Sequence, residues 1–314
     1  MQHFIGIDIS KRDFYACFDE VTEPVRFSNN EVGIDKFIDE IKKRKMKKTN
    51  TMIGLESTSR YHLPLCIIGT HYGYQVKIIN PIITSQQNKL NIRCVKNDRA
   101  DSRTIRFCTV RGKGYVFQDT TEDLVIKNLV RQRYLMVHFQ SDLKRKQQDI
   151  EYKEKYIKTP ITDVNNDLER YISKKVKELE QQIELHNSDQ QVLLQSIPGI
   201  GKVTSAVLVA EIGNISKFKY PKQLVGFIGI DPRVKESGTS IKGKGYITKR
   251  GNRIIRKTLY NAAMAAMQRP NMFYDFYHKK VSEGKPKKVA LVAVMRKMVH
   301  VIFAVWKRGE PFVA

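Results

Sequence analysis

The sequence predicts an α/β domain built on a mixed sheet, followed by a chain that is mostly helical. Three observations carry this expectation: apolar alternation at strand spacing near the start, long charged helical stretches from about residue 121, and a glycine hairpin between two apolar helices further on. HFIGIDISKRDFYACFDE alternates as a strand, turns at Ser10-Lys11-Arg12, and continues as a second strand. PVRFSN supplies a third. In EVGIDKFIDEIKKRKM the residues Val32, Phe37 and Ile41 recur at helical spacing before a basic run. TMIGLE is a short apolar strand ending at Glu56, YHLPLCIIGTHYG a helix, QVKIIN a strand and NDRADSRTIRFCTV a helix. Three strands, helix, strand, helix, strand, helix is the order of the ribonuclease H-like fold, a mixed sheet with flanking helices, here residues 1–120.

Residues 121–187 change character. EDLVIKNLVRQRYLMVHFQSDLKRKQQDIEYKEKYI reads as one long charged helix. After Pro160 a second carries Leu168, Ile172, Val176, Leu179 and Ile183 on one face. The pair predicts an antiparallel hairpin or coiled-coil arm, a candidate dimerisation element, with a helical spacer as the alternative. Residues 188–314 form a third, mostly helical part. There a helix stops at Pro198-Gly199-Ile200-Gly201 and an apolar helix starts at about Lys202, the helix-hairpin-helix pattern. Such a hairpin brings backbone N–H groups near Gly199, Gly201 and Lys202 to a phosphate, whereas a tight interhelical turn needs none. YPKQLVGFIGIDPR follows as helix and turn, and helices NAAMAAM and KKVALVAVMRKMVHVIFAVWKRG close the chain.

Composition narrows the partners. The chain has 314 residues and a formal net charge of +24, from Lys+Arg 56 against Asp+Glu 32. A surplus of this size favours a polyanion, because each phosphate contact releases condensed counterions. A merely solvated basic surface is the plainer alternative. No window approaches the roughly 18 apolar residues of a membrane span, and MQHFIGIDISK is too short in its apolar stretch for a signal peptide. Cys17, Cys66, Cys94 and Cys108 form no CxxC pair and read as small buried hydrophobes in a reducing cytosol. The histidines are scattered, which argues against a zinc site.

The chemistry lies in a split constellation. Asp8 sits mid-strand in IGID, with Ile7 and Ile9 facing the other side of the sheet, and an acid there is costly to bury without a cation. Glu56 ends GLE, and a parallel pairing with the first strand places it near Asp8. Asp98 and Asp101 are three apart on a helix, hence on one face. Singly, Asp8 reads as an edge-strand charge and Asp98 as an N-cap. Together the four suggest a divalent-metal phosphodiester site, because Mg²⁺ takes oxygen ligands. Far downstream, Ser237 stands in VKESGTS ahead of the basic run ITKRGNRIIRK, as a covalent DNA-joining nucleophile would. Lys249, Arg250, Arg253 and Arg256 follow closely and read as phosphate clamps or as a solvated helix face. Acids and serine together narrow the function to DNA rearrangement.

FIGIDISK, GLESTSRYH, KNDRADSRTI, SIPGIGKVTSAVLVAEIG, FIGIDPRVKESGTS and GYITKRGNRIIRKTLYNAA together resemble the transposases of the insertion sequence 110 family, over nearly the whole chain. The resemblance implies a bridge-RNA-guided DNA recombinase with a RuvC-like DEDD domain and a serine-bearing transposase domain. The tetrad falls on Asp8, Glu56, Asp98 and Asp101, and the nucleophile on Ser237, with Ser240 the weaker choice. It further implies Mg²⁺, donor and target DNA, a guide RNA from the element, dimers pairing into a tetramer, and a cytoplasmic, nucleoid-associated protein. Two other readings stand beside it: a RuvC-like Mg²⁺ nuclease that uses water, and a non-catalytic nucleic-acid-binding protein.

Overall fold

A computed structural model describes residues 2–57, 61–89, 97–156, 162–232 and 246–313. The chain divides into two compact units, residues 1–118 and 119–314. Ser237 and Ser240, and Cys94 with them, lie outside the described residues.

Unit 1 is a six-stranded mixed sheet flanked by helices. Strands β1 (His3–Ile9), β2 (Asp13–Cys17) and β3 (Val25–Ser28) form an antiparallel meander. β4 (Thr51–Glu56) pairs parallel to β1, and β5 (Gln75–Ile79) parallel to β4. A two-residue strand, β6 (Tyr115–Val116), closes the order β3-β2-β1-β4-β5-β6.

Alternation along β1 assigns each face. Ile5, Ile7 and Ile9 are buried on one side, which also holds Phe14, Ile53 and Leu55 from their paired positions. Helices α1 (Glu31–Lys43) and α2 (Leu63–His71) cover it, with Phe37 of α1 edge-on to Phe14 and Phe27. The other face carries Gly6 and Gly54, which lie opposite one another in the β1–β4 register. Helix α4 (Asp98–Val110) lies directly on them. A Cβ on Gly6 would come within 2.2 Å of the Arg106 backbone N, and one on Gly54 within 1.8 Å of Thr109 Oγ1. Helix α3 (Pro81–Lys89), absent from the sequence reading, follows β5.

The expected stripe on α1 is corrected in one position. Val32 is 63% exposed, while Ile34, Phe37, Ile38 and Ile41 are buried. Asn30 caps the helix, and Gly33 lies so close to Ser28 that an added Cβ would sit 2.0 Å from its carbonyl oxygen. That contact sets the rotation of α1 and turns Val32 outward. Cys17, Cys66 and Cys108 are buried, as expected of cysteines that form no CxxC pair.

Unit 2 is helical among its described residues. The long helix α5 (Thr121–Glu154) opens with a capping box between Thr120 and Asp123, and α6 (Thr162–Leu185) returns antiparallel to it. The pairs Arg133–Glu180, Gln140–Ser173 and Lys144–Glu169 fix that direction. Of the expected α6 stripe, Ile183 is buried but Leu168 is 44% exposed. The hairpin is not a separate body. Ile126, Val130 and Ile183 pack with Ala206, Val207 and Ala210 of α8 (Lys202–Ile212), so one apolar cluster joins it to the helices that follow.

Those are α7 (Asp189–Gln195), α9 (Pro221–Ile228), α10 (Arg253–Ala266), α11 (Met272–Ser282) and α12 (Lys287–Arg308), around a core that includes Leu208, Leu259, Phe273 and Met298. The membrane reading needs correction here. α12 is long and apolar enough to cross a bilayer by length and composition, its apolar run from Val289 to Trp306 broken by Arg296, Lys297 and His300. Its Leu291, Val294, Met298 and Ile302 belong to the core of unit 2.

The glycines offer a direct test of this packing. Gly6→Ala should destabilise unit 1 by about 1–3 kcal/mol, because the methyl meets helix backbone rather than a movable side chain. Gly226→Ala, mid-α9 with nothing within 4 Å of the added Cβ, should instead stabilise unit 2 by about 0.5–1 kcal/mol. Urea titrations read by amide exchange in β1 and α9 separate the two; a neutral Gly6→Ala would refute the close approach of α4.

Candidate active site and nucleic-acid interface

Two residues beyond the paired glycines, both parallel strands carry an acid on the same face: Asp8 on β1 and Glu56 on β4. The register, with Ile7 opposite Leu55, runs on to set Asp8 beside Glu56. α4 begins over that end of the sheet. Asn97 caps the helix by accepting from the Ala100 N–H, so Asp98 is not the cap and its carboxylate is left for other work. Asp101 lies one turn on. Burial comes first, then the fields of Asp101, Asp98 and Glu56, and together they push the Asp8 carboxyl up to about 7 against a hydrogen bond from the Ile9 amide.

Two side chains that the sequence reading did not single out orient this group. Thr84 Oγ1 donates to Glu56 Oε2 at 2.5 Å, and Asn88 Nδ2 donates to Asp101 Oδ1 at 2.9 Å. Thr104 Oγ1 in turn donates to Asn88 Oδ1 at 2.6 Å. Thr84 and Asn88 are four apart on α3, one helical face. That spacing, and the glycine two residues before each strand acid, were the readable signals. Among the described residues no three His, Cys, Asp or Glu side chains already stand as a closed metal-ligand set. The four side chains offer only carboxylate oxygens, the donors suited to a hard divalent ion.

In unit 2 the candidate phosphate contacts behave differently from one another. Gly199 has φ +86°, and an added Cβ would meet Ala262 O at 2.4 Å, so packing against α10 requires glycine there. Gly201 caps α8 with nothing within 4 Å of an added Cβ, and among the described residues no side chain hydrogen-bonds that helix N-terminus as a cap. Lys202 is paired with Glu184 at 3.1 Å. Lys249, Arg250 and Arg253 are exposed. Arg256 is not: its Nη1 donates to Ile228 O at 2.9 Å and Gly251 O at 2.7 Å, which makes it a brace for the preceding turn rather than a free phosphate clamp.

The brace belongs to a larger assembly. Thr248 and Lys249 amides donate to Asp231 and Gly229 carbonyls, and Pro232 bridges Ile247. Asn252 caps α10 through Oδ1 and donates from Nδ2 to Glu211 Oε2 at 2.7 Å. Glu211, with its side chain 1% exposed, also receives Arg131 Nε and Nη2 at 2.6 and 3.0 Å. One buried carboxylate thus ties α5, α8 and the start of α10. Nearby, burial lowers the Lys217 ammonium to about 8.

Comparison with known proteins gives two family models. A DEDD transposase model of the IS110 group matches residues 5–150, and a model described as the transposase IS116/IS110/IS902 family matches residues 191–278. A pilin gene-inverting protein of Moraxella bovis is 29% identical over 98% of this chain and 97% of its own length. A transposase for insertion sequence element IS1111A of Coxiella burnetii is 34% identical over 38% of this chain and 33% of that one. An uncharacterized protein of insertion element IS110 from Streptomyces coelicolor is 32% identical over 37% of this chain and 29% of that one.

The raised Asp8 value carries a stability sign. The unfolded chain releases this proton near 4 and the folded chain near 7. The favourable contribution is therefore full below pH 4 and lost as pH climbs through 7. Asp8→Asn, in EDTA at pH 8, should raise the unfolding midpoint by on the order of 5 °C, and the gain should fade toward pH 4. Thermal melts across that range check it; a lower midpoint at pH 8 would contradict the crowding of charge at Asp8.

Proposed function

The chain belongs to the IS116/IS110/IS902 transposase family and is a transposase acting on DNA, and from that premise we propose how its residues cut and rejoin DNA. Residues 1–120 serve as a RuvC-like, ribonuclease H-like DEDD domain in which Asp8, Glu56, Asp98 and Asp101 hold Mg²⁺. The observation that carries this is the register of β1 and β4, which sets the half-buried Asp8 beside Glu56 and within the fields of Asp98 and Asp101 from α4. Bound there, Mg²⁺ would polarise the scissile phosphate and ease formation of a serine alkoxide. Thr84 and Asn88 keep Glu56 and Asp101 turned to their task.

Ser237 is the nucleophile. Its Oγ bonds to the scissile phosphorus as the bond to the 3′ oxygen breaks, and the hydroxyl proton ends on the departing 3′-OH. The phosphoserine ester keeps the bond energy, so a partner strand's 3′-OH can attack it, return the proton to Ser237 and reseal the backbone without ATP. A relative named for inverting a gene supports rejoining over simple hydrolysis. Lys249, Arg250 and Arg253 hold phosphates of donor and target DNA, with Arg256 bracing their turn. The open N-terminus of α8 at Gly201 and Lys202 adds a contact, and Gly199 seats the hairpin that presents it. A bridge RNA from the element supplies the pairing that selects both DNAs. The α5–α6 arm serves dimerisation on the way to a tetramer.

Denaturing electrophoresis on a nicked donor substrate tests this mechanism. Wild type with Mg²⁺ should leave protein joined to a DNA 5′ phosphate, and Ser237→Ala should bind nucleic acid but form no adduct. Asp8→Asn should lose cleavage and joining while remaining folded. An adduct that survives in Ser237→Ala would overturn the serine assignment, and cleavage without any adduct would favour a water-using nuclease.

Binding itself should be steeply salt dependent, given the net charge of +24. With roughly six to ten phosphate contacts, affinity should fall on the order of 10³-fold between about 50 and 200 mM salt. A flat plot of log K against log salt would remove the polyanion reading.

A further inference from the structure

Unit 2 contains a groove of about 1050 Å³ between α5 and α10, at the upper end of the volumes that hold a ligand. Its lining is of two kinds. The floor is apolar, formed by Val137 of α5, Ile247, and Val292 and Met295 of α12. Tyr134 and Tyr260 add aromatic surface from the two walls. The rim is cationic, but its two sides are unequal. On the α5 side Arg133 and Lys144 are matched by Glu180 and Glu169, and Arg145 by Asp142. On the α10 side Lys249, Arg253 and Lys257 have no carboxylate partner among the described residues. Arg253 Nη2 instead faces His138 Nε2 at 3.1 Å.

From this arrangement we infer that the groove is a binding site for an unpaired nucleotide, with the base against the apolar floor and the flanking phosphates on the α10 rim. The inference rests on the transposase reading and deepens it. A duplex offers a protein its phosphate ridges and keeps its base faces stacked, so it would meet the rim and leave the floor empty. An unpaired base fills an apolar, tyrosine-walled recess because every base has a π-face to bury. The three unmatched cations then supply what a sugar-phosphate chain needs on either side of that base. The walls are set before anything binds: Glu211 joins Arg131 of α5 to the Asn252 cap of α10, and Arg256 holds the turn below Lys249. A recess held open in this way loses little entropy on binding.

The test uses the full chain in EDTA, with fluorescence anisotropy on four labelled probes: oligo-dT, an abasic strand of equal length, oligo-rU and a duplex. Wild type should prefer oligo-dT to the abasic strand on the order of 10-fold, since stacking is a per-base effect. Tyr260→Ala, at an exposed position, and Val137→Trp, which fills the floor, should each abolish that preference and leave duplex affinity within about 2-fold. Lys257→Glu should weaken all four. Oligo-rU bound in the same Tyr260-dependent way would make RNA a source of the nucleotide, and oligo-rU insensitive to the variants would make it DNA. Equal binding of oligo-dT and the abasic strand by wild type, or an unchanged preference in Tyr260→Ala, would overturn the groove while leaving the transposase reading in place. Failure to bind the duplex at all would instead count against that underlying reading.

Discussion

The site in unit 1 depends on how closely α4 can lie on the sheet. Two glycines, opposite one another on parallel strands, remove the side chains that would hold the helix away. With α4 resting on backbone, its first turn is carried over the end of β1 and β4, and Asp98 and Asp101 come within electrostatic range of Asp8 and Glu56. Any side chain at Gly6 would lift the helix against its own backbone. The acids are thus brought together by what is missing two residues earlier. Their mutual repulsion is held by the packing of α4 and α3, and by the hydrogen bonds from Thr84 and Asn88.

Unit 2 solves a different problem, that of presenting a turn and a basic helix start on a rigid base. Its solution is a single buried carboxylate. Glu211 accepts from Arg131 and Asn252 at once, so its desolvation is offset by a charged partner and by a side chain that already caps α10. Removing Glu211 would leave the Arg131 guanidinium without its partner and loosen the cap together, which is why a hydrophobic replacement would not restore the geometry.

Much of this was legible in the sequence, and what was not has identifiable reasons. The strand acids could be read because an Asp between Ile7 and Ile9 breaks the apolar rule on one face only. The parallel pairing of β1 and β4 followed from element order. α3 escaped because PIITSQQNK has little amphipathic pattern; it is held by Thr84 and Asn88, whose partners are remote in sequence. β6 is two residues long and is defined by its neighbour β5 rather than by its own residues. Val32 was misplaced because helical spacing fixes which residues share a face, not the rotation of that face, and here the Gly33–Ser28 contact decides it. Arg256 looked like its neighbours in the basic run. Only the fold shows that its guanidinium is occupied by two carbonyls.

A strongly basic chain with a knot of acids poses an electrostatic question of its own. The cationic surface draws a nucleic acid in, yet a phosphate arriving at Asp8, Glu56, Asp98 and Asp101 meets charge of its own sign. Protonating Asp8 relieves part of that repulsion in the ion-free protein, in keeping with a carboxyl that burial and the neighbouring acids push up to about 7. A divalent cation would relieve it more fully, displacing the proton and giving the phosphate an opposite charge to approach. On the proposed mechanism these two events are one. The site would then be repulsive to DNA until metal binds and attractive afterwards, so the same crowding that raises Asp8 would keep the acids idle in the absence of metal.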